Sequence, residues 1–483
     1  MKIKVVLKFL SLIIALVSFC MIFPFLWAVR DHTTDSKAFL LSMAIGAVTA
    51  AVMYEFSKNA RHTDMGTREA FAAVSFSWIF ASLIGCLPYL LGGYVPSLAD
   101  AYFETMSGFT TTGASILTNV AANPRGILMW RAETQWLGGM GIVVLVIALL
   151  PVLGGGLNRL FQAESPGPVL EKTSPTINDM AKNLWYVYIG LTVVGVLLLM
   201  AGGMNLFDSI CHMFATVSTG GFSTRNASVA AYHSAYIDWT LTIIMFLSGA
   251  NFSLHLTAVT RRTLKPYKDE EFIFYGKVVL LSTAAIAICL YAHGAYKSVI
   301  DTIRYAAFQV VSIMTTTGFV TANYDLWPPF TQVILLLLMI IGGCAGSTAG
   351  AIKCVRANIM LKSIKAEIKH LIHPNAVIAI SVDGNALPHE RVTSTVIFVL
   401  TYLLLFAAAV LITTATGQDI VTALGAVATT LGNVGPGLGK VGPIHNFESQ
   451  TDIAKWLFSF CMLCGRLELF TVLVLFSRDT WRR

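Results

Sequence analysis

Charged side chains are scarce in this sequence. Asp, Glu, Lys and Arg make up 12% of its 483 residues, while 55% of the residues are hydrophobic. Water-soluble globular domains carry about 25% charged residues, so this scarcity excludes a soluble multidomain enzyme, a disordered protein and a nucleic-acid-binding protein. The net charge of +7 is spread along the chain, with no run rich in Lys and Arg. The composition therefore predicts a protein that crosses a membrane several times.

Motifs for enzymatic chemistry are missing as well. The sequence has no Walker or Rossmann phosphate-binding loop, and its apolar runs hold neither a paired nucleophile and base nor a cluster of His and Glu. The eight Cys lie mostly inside apolar stretches, where a small polarizable side chain packs well. Cys461 and Cys464 form a C-x-x-C pair, but no second pair lies nearby to complete a metal site. We therefore expect no enzymatic activity and no bound cofactor.

Long apolar runs, by contrast, are plentiful. A helix needs about 20 apolar residues to cross a bilayer, and ten runs satisfy this requirement. They lie near 5–29, 38–56, 71–94, 134–153, 184–203, 237–259, 273–293, 330–352, 392–415 and 453–477. The first run follows three Lys residues like a signal peptide, but it is too long for one and lacks a small-residue cleavage site. We predict an all-α polytopic membrane protein with about ten transmembrane helices.

The basic residues predict the orientation of these spans. If the N-terminus is cytoplasmic, the inside segments hold 23 Lys and Arg residues and the outside segments hold nine. The positive-inside rule therefore places both termini in the cytoplasm. Arg466 is left inside the last apolar run. An ionisable side chain at membrane depth usually faces a cavity or a partner, so Arg466 is a functional candidate, with a structural ion pair as the alternative.

Four segments on the predicted outer side share a pattern of Thr and Gly. They read FETMSGFTTTGAS (103–115), MFATVSTGGFST (213–224), VVSIMTTTGFVT (310–321) and AVATTLGNVGPG (426–437). Gly113, Gly221, Gly318 and Gly435 align, at spacings of 108, 97 and 117 residues. Gly432 offers another register for the fourth copy. Small residues are common in membrane helices, but four copies on one side indicate a repeat of span, short helix, Thr/Gly loop and span.

An Asp precedes each aligned Gly by 13 to 17 residues. These residues are Asp100, Asp208, Asp301 and Asp419. Asp favours helix N-caps, so we expect each to begin a short helix whose negative C-terminal end points at the loop. Four Gly-containing loops around one axis would present rings of carbonyl oxygens to a dehydrating cation. The Thr/Gly loops lack acidic side chains, which favours a monovalent over a divalent cation.

The four segments, the eight-span core and the two additional N-terminal spans resemble the Trk/Ktr/HKT potassium transporters. The resemblance covers almost the whole chain and rests on TTTGAS, STGGFST, TTTGFVT, GNVGPGLG and GGCAGSTAGAIK. It implies potassium uptake across a bacterial inner membrane, with potassium as the substrate. Potassium would bind carbonyl oxygens of the loops, at Thr111, Thr112, Gly113, Thr219, Gly220, Gly221, Thr316, Thr317, Gly318, Asn433, Val434 and Gly435. In related plant members a Gly at the position of Gly113 accompanies potassium preference, and a Ser accompanies sodium transport.

The resemblance also implies a gate and a division of the chain. The eighth run contains GGCAGSTAG (342–350), which is too rich in Gly for a straight helix. Tight packing through small residues is one explanation, and an intramembrane gate loop below the filter is the one that the resemblance favours. The gate would comprise Gly342, Gly343, Gly346, Ser347, Gly350 and Arg466. The expected units are two N-terminal spans (1–68) and four pore repeats (69–160, 161–265, 266–375 and 376–483).

Partners follow from the resemblance alone. It implies a homodimer and a TrkA-type cytosolic ring of nucleotide-binding domains, because this chain has no nucleotide site of its own. The ring would dock on the basic inner face, at Arg261, Arg262, Lys265, Lys362, Lys365 and Lys369. Positive-inside topology alone also accounts for those charges. Two other functions stay open: a potassium-binding subunit of an ATP-driven pump, and a proton-coupled potassium symporter.

Overall fold

The computed structural model describes residues 1–60, 65–141, 144, 177–376 and 378–481. In these ranges the fold is helical, as predicted, apart from one antiparallel hairpin of β1 (Ser381–Val382) and β2 (Asn385–Ala386). The α-helices are α1 (Ile3–Cys20), α2 (Ile22–Arg30), α3 (Asp35–Ser57), α4 (Thr67–Gly85), α5 (Leu87–Leu91), α6 (Leu98–Phe109), α7 (Arg125–Gly139), α8 (Ile177–Ala201), α9 (Leu206–Val217), α10 (Ala235–Ser248), α11 (Phe252–Arg261), α12 (Glu270–Ala292), α13 (Val299–Met314), α14 (Pro329–Ile340), α15 (Cys354–Ile372), α16 (His389–Ala415), α17 (Ile420–Gly432), α18 (Asp452–Arg466), α19 (Leu469–Leu473) and α20 (Arg478–Trp481). Short 3-10 helices cover Val120–Ala122, Ser228–Tyr232, Lys265–Lys268, Tyr324–Leu326, Gly439–Val441 and Val474–Phe476.

Six helices in the described ranges are long and apolar enough to cross a membrane. They are Ile3–Arg30, Asp35–Ser57, Thr67–Leu91, Ala181–Ala201, Glu270–Ala292 and His389–Ala415. Two bent pairs also qualify: α10 and α11 meet at 96°, and α18 meets Leu469–Phe476 at 119°. Of the other two predicted spans, 134–153 lies mostly outside the described residues, and 330–352 is helical only over Pro329–Ile340. The total of ten spans therefore stays a prediction.

The long helices carry large apolar side chains on their outer surface. Val48 is 63% exposed, Ile288 is 70% exposed and Leu404 is 71% exposed. In water a contiguous apolar surface of this kind would favour aggregation, but in a bilayer it contacts lipid tails. Short helices such as α6 and α17, by contrast, bury most of their residues. The lipid-facing helices therefore surround an inner group of short helices.

Each of the four short helices begins at a side-chain N-cap. The capping residues are Ser97, Asn205, Ser298 and Asp419, and each side chain accepts a hydrogen bond from the backbone N–H three residues later. The prediction that an Asp caps the helix is therefore right for Asp419 and wrong for the other three. Asp100, Asp208 and Asp301 lie three residues inside their helices. Ser and Asn cap as well as Asp does, and an Asp in the first turn still favours the positive end of the helix dipole.

The helices that follow the Thr/Gly loops pack in a cyclic order. α7 packs on α9, α10 packs on α13, and α14 packs on α17. The last of these helices, α18, packs on α6, the first short helix. Each loop is therefore held between the helices of its own segment and those of the next. The N-terminal helices lie outside this circle, where α1 packs against α3 and α4.

Candidate ion pathway

The four Thr/Gly loops share one backbone conformation. In each loop two residues, separated by one, have positive φ: Thr111 (55°) and Gly113 (79°), Thr219 (55°) and Gly221 (75°), Thr316 (57°) and Gly318 (78°), and Asn433 (56°) and Gly435 (107°). A left-handed conformation costs a non-Gly residue about 1–2 kcal/mol, so the surrounding structure must hold these loops firmly. The fourth loop fits the pattern at Gly435, because Gly432 is the last residue of α17. This geometry favours the register in which Gly435 aligns with Gly113.

The loops contact one another in a closed circle. A Cβ atom placed on Gly113 would overlap the carbonyl oxygen of Gly220 in the second loop. The equivalent pairs are Gly221 with the oxygen of Thr317, Gly318 with that of Val434, and Gly435 with that of Thr112, which lies 2.8 Å from the added Cβ. Each Gly therefore faces a carbonyl of the next loop, and the fourth loop returns to the first. A larger residue requires the neighbouring backbone to move.

The four loop glycines also line one cavity. Gly113, Gly221, Gly318 and Gly435 all contribute to its wall. Other wall residues are Arg131, Phe222, Pro436 and His445. The cavity lies on the side of the loops that faces the segments predicted to be outside. The four loops thus meet at this cavity.

A polar side chain nine residues before the Gly supports three of the loops. Glu104 accepts hydrogen bonds from Ser115 Oγ at 3.0 Å and from the backbone N–H of Ile116 at 2.9 Å. The equivalent contacts are His212 Nε2 with Ser223 Oγ at 2.9 Å and Gln309 Nε2 with Thr321 Oγ1 at 3.2 Å. The fourth segment has Ala426 at this position. The sequence analysis missed these residues, although a polar residue at a fixed distance from the aligned Gly was a usable signal.

Arg131 joins the first two loops. Its Nε donates to Glu104 Oε1 at 2.7 Å, and both side chains are buried. Its Nη1 donates to the carbonyl oxygen of Ser223 at 3.1 Å, and its Nη2 donates to Ser115 Oγ at 3.1 Å. The guanidinium also lies 4.0 Å from the centroid of the Phe222 ring. One buried ion pair therefore fixes the outer parts of two neighbouring loops.

Glu104→Gln is expected to destabilise the protein strongly. The substitution leaves the buried guanidinium of Arg131 without its counter-charge, and breaking a buried ion pair typically costs about 3–5 kcal/mol. The matched control is Glu55→Gln, because Glu55 pairs with Lys58 on an exposed helix surface, where such pairs contribute up to about 1 kcal/mol. Thermal unfolding of both variants in the same detergent measures the difference. Equal melting temperatures would contradict the role given to the Glu104–Arg131 pair.

Residues 341–353 interrupt the predicted eighth span. α14 ends at Ile340 and α15 begins at Cys354, and we name the residues between them the gate segment. Its two ends are joined, since the backbone N–H of Gly342 donates to Ile352 at 2.9 Å and that of Ile352 donates to Ile340 at 3.1 Å. The backbone N–H of Gly350 donates to Thr316 Oγ1 at 2.8 Å. The gate segment therefore lies directly against a Thr/Gly loop.

The other predicted gate residues hold the gate segment in place. A Cβ on Gly343 would lie 2.5 Å from the carbonyl oxygen of Gly249, at the bend between α10 and α11. Gly346 has a φ of 70°, and its carbonyl oxygen accepts a hydrogen bond from the backbone N–H of Phe252 at 3.0 Å. Ser347 Oγ donates to the carbonyl oxygen of Cys344 at 2.6 Å. The gate segment thus docks into the break in the preceding span.

Glu271, which the sequence analysis missed, contacts both the gate segment and the first turn of the helix that follows it. Its Oε1 accepts hydrogen bonds from the backbone N–H of Ala345 at 2.7 Å and from that of Val355 at 2.9 Å. Its side chain is buried at the start of α12. A buried carboxylate that accepts two backbone N–H bonds makes strong, charge-assisted contacts. The gate segment is therefore attached to α12 as well as to the loops.

Arg466 connects the gate segment to α7. Its Nη1 donates to the carbonyl oxygen of Thr348 at 2.6 Å. Its Nη2 donates to the carbonyl oxygens of Gly138 at 2.7 Å and Gly139 at 2.5 Å, at the negative end of the α7 dipole. Lys353, which could extend towards the surface, instead donates to the carbonyl oxygen of Ala349 within the gate segment. The side chain of Arg466 therefore lies beneath the loops, next to the gate segment.

Four short helices, a closed circle of loops and a broken span beneath them define a multi-pass membrane transport protein. Residues 35–482 match the TrkH family, whose description is cation transport protein, and the chain belongs to this family. It is 39% identical over 486 residues to the Trk system potassium uptake protein TrkH of Escherichia coli (strain K12), and 38% identical over 490 residues to that of Halomonas elongata. Both alignments cover the full length of both proteins.

A solved structure gives the same assignment. The crystal structure of the potassium transporter TrkH from Vibrio parahaemolyticus superimposes with a TM-score of 0.90 at 36% sequence identity, and the match covers 100% of both chains. The prediction that the chain resembles the Trk/Ktr/HKT transporters is confirmed, as is the prediction that it is not an enzyme.

Proposed function

We propose that this chain takes up potassium through a filter formed by its four Thr/Gly loops. The observation that carries the proposal is the closed circle of contacts in which each loop glycine faces a carbonyl oxygen of the next loop. Potassium uptake is also the function named for its relatives in Escherichia coli and Halomonas elongata. A ring of neutral oxygens can replace the hydration shell of a monovalent cation. The filter comprises the three residues of each loop that were predicted from the sequence.

The short helices support the same function electrostatically. α6, α9, α13 and α17 end at Phe109, Val217, Met314 and Gly432, one or two residues before the first left-handed residue of each loop. A helix carries a partial negative charge at its C-terminal end. Four such ends directed at the loops stabilise a cation there. They do so without acidic side chains, which would bind a divalent cation more tightly.

The remaining architecture is part of this proposal. The units are the two N-terminal spans and the four pore repeats with the boundaries given above, of which the one at 160/161 lies outside the described residues. Both termini face the cytoplasm of a bacterial inner membrane, and the cavity lined by the loop glycines opens outwards. The chain forms a homodimer and binds a TrkA-type cytosolic regulator. These proposals rest on the charge pattern and on the family to which the chain belongs.

The proposed uptake is tested by reconstituting the purified chain alone in liposomes. Potassium flux that exceeds sodium flux, in the absence of any ATPase, is the expected result. A requirement for an ATPase partner would favour a pump subunit, and flux that follows an imposed proton gradient would favour a symporter. The absence of cation flux under all three conditions would contradict the proposal.

The gate segment is proposed to close the path below the filter, and Glu271→Ala is expected to open it. The variant loses two charge-assisted hydrogen bonds, and each is worth about 1.5–3 kcal/mol. Potassium flux without the regulator should therefore rise about tenfold or more, since each 1.4 kcal/mol changes an equilibrium about tenfold.

The neighbouring residue provides the control for this experiment. Glu270 is also an acid in the first turn of α12, but it contacts Asn358 and Lys362 rather than the gate segment. Glu270→Ala should leave flux unchanged. Flux through folded Glu271→Ala protein that equals wild-type flux would contradict the gating role of the segment.

A further inference from the structure

The second loop lacks a side chain that the other loops have. Thr112, Thr317 and Val434 precede the aligned Gly in the first, third and fourth loops, whereas Gly220 has this position in the second. Thr112 Oγ1 lies 2.8 Å from Thr110 Oγ1, and Thr317 Oγ1 lies 2.8 Å from Thr315 Oγ1. Two loops are therefore fixed by an internal Thr–Thr hydrogen bond that the second loop cannot form.

Gln135, from α7, occupies the place of this missing side chain. A Cβ atom placed on Gly220 would lie 2.7 Å from Gln135 Oε1 and 2.8 Å from Gln135 Nε2. Gln135 Nε2 donates to the carbonyl oxygen of Gly220 at 2.5 Å, and Oε1 accepts a hydrogen bond from the backbone N–H of Phe222 at 3.0 Å. The side chain is fully buried. One amide thus holds the peptide groups on both sides of Gly221.

This support matters because the loop is intrinsically flexible here. Gly220 and Gly221 are adjacent, and Gly populates more backbone conformations than any other residue. The Gly220 carbonyl also faces Gly113 of the first loop. A change in its direction would therefore alter two loops of the circle. Fixing this peptide from outside the loop keeps the second loop in the conformation of the other three.

We propose that Gln135 is a positioning residue for ion selectivity, acting on the second loop in place of the missing Thr side chain. The proposal rests on the proposed function, since it assumes that the loops form the filter. Gln135 sets the direction of the Gly220 carbonyl and the conformation of the following peptide. It belongs to a helix that follows the first loop, so it also couples two neighbouring loops. Selectivity then depends on a residue that lies outside all four Thr/Gly loops.

A double-mutant cycle between Gln135 and Gly220 tests this inference. Gln135→Ala should lower the ratio of potassium to sodium flux about tenfold, which corresponds to about 1.4 kcal/mol. Gly220→Thr alone should lower it similarly, because its Cβ would meet the Gln135 amide. The φ of Gly220 is not positive, so the backbone accepts a Thr. The double variant, in which the Thr fills the space vacated by Gln135, should recover most of the ratio, and such non-additivity is typical of residues in contact.

Two further variants keep the result interpretable. Gln135→Met retains the side-chain volume but neither hydrogen bond, and it should lower the ratio even if Gln135→Ala does not fold. Gln332→Ala is the control, because Gln332 Nε2 donates to the carbonyl oxygens of Asp325 and Trp327, just before α14, rather than to a filter residue. It should lower the melting temperature and leave the ratio unchanged.

The outcomes separate this inference from the function on which it rests. Loss of selectivity in Gln135→Met with recovery in the double variant supports the inference. A wild-type ratio in both Gln135 variants, together with a lowered ratio in Gly113→Ser, overturns the inference and leaves the filter in place. A wild-type ratio in all of these variants overturns the filter and the inference together.

Discussion

Gly113→Ser is expected to remove most of the preference for potassium over sodium. Gly113 has a φ of 79°, and its Cβ would overlap the carbonyl oxygen of Gly220. The variant must therefore adopt a strained backbone, shift the second loop, or both. A left-handed non-Gly residue alone costs about 1–2 kcal/mol, so the ratio of potassium to sodium flux should fall at least about tenfold. Competitive uptake of the two ions into liposomes measures this ratio directly.

Gly93→Ser is the matched control for the backbone strain. Gly93 has a φ of 69°, similar to that of Gly113, but among the described residues no atom lies within 4 Å of a Cβ placed on it. This variant should lose some stability and keep the wild-type ratio. If Gly113→Ser folds and also keeps the wild-type ratio, Gly113 does not belong to a selectivity filter.

The sequence predicts the helical membrane fold because hydropathy is a local property. Most of the apolar runs correspond to helices long enough to cross a membrane, such as Asp35–Ser57 and Glu270–Ala292. Hydropathy is averaged over a window of residues, however, and this averaging conceals a bend within an apolar run. The run at 237–259 reads as one span, yet it bends by 96° between α10 and α11. Gly249 and Asn251 at this bend contact the gate segment, and such a partner, distant in sequence, leaves no trace in hydropathy.

The candidate site is only partly predictable for a related reason. A repeat of Thr and Gly is visible in the sequence because all four loops adopt the same left-handed conformation, which restricts residue choice locally. Glu104, Arg131 and Gln135 act on the loops through side chains 11 to 92 residues away from their partners. Glu104 is marked by its fixed distance from the aligned Gly, but nothing in the local pattern distinguishes Arg131 and Gln135 from other polar residues in an apolar helix. Asp100 and Asp208 were wrongly predicted as N-caps for a simpler reason: Ser97 and Asn205, which cap these helices, are equally good N-cap residues.

Arg466 lies inside an apolar run and contacts backbone groups of two separate elements. Its position inside an apolar run identified it as a functional candidate, with an ion pair as the alternative. Its guanidinium donates to backbone carbonyl oxygens of the gate segment and of α7. These contacts support two hypotheses for Arg466: a fixed positive charge beside the proposed path, and a tether for the gate segment.

Arg466→Ala is expected to raise potassium flux in the absence of the regulator while leaving the ratio of potassium to sodium flux unchanged. At an effective dielectric constant of about 20, two unit charges 4 Å apart repel by roughly 4 kcal/mol, so removing the charge lowers a large barrier to a cation. Selectivity, which we propose is set at the loops, should persist. Arg466→Lys separates the two roles, because Lys keeps the charge but lacks the guanidinium fork that reaches Thr348 and Gly138 together. A fixed-charge barrier predicts wild-type flux in the Lys variant, whereas a tether predicts the raised flux of the Ala variant.

Flux and melting temperature should be measured on the same purified samples, because the loss of a structural ion pair would lower both quantities. A stable Ala variant without a gain in flux would refute both the barrier and the tether.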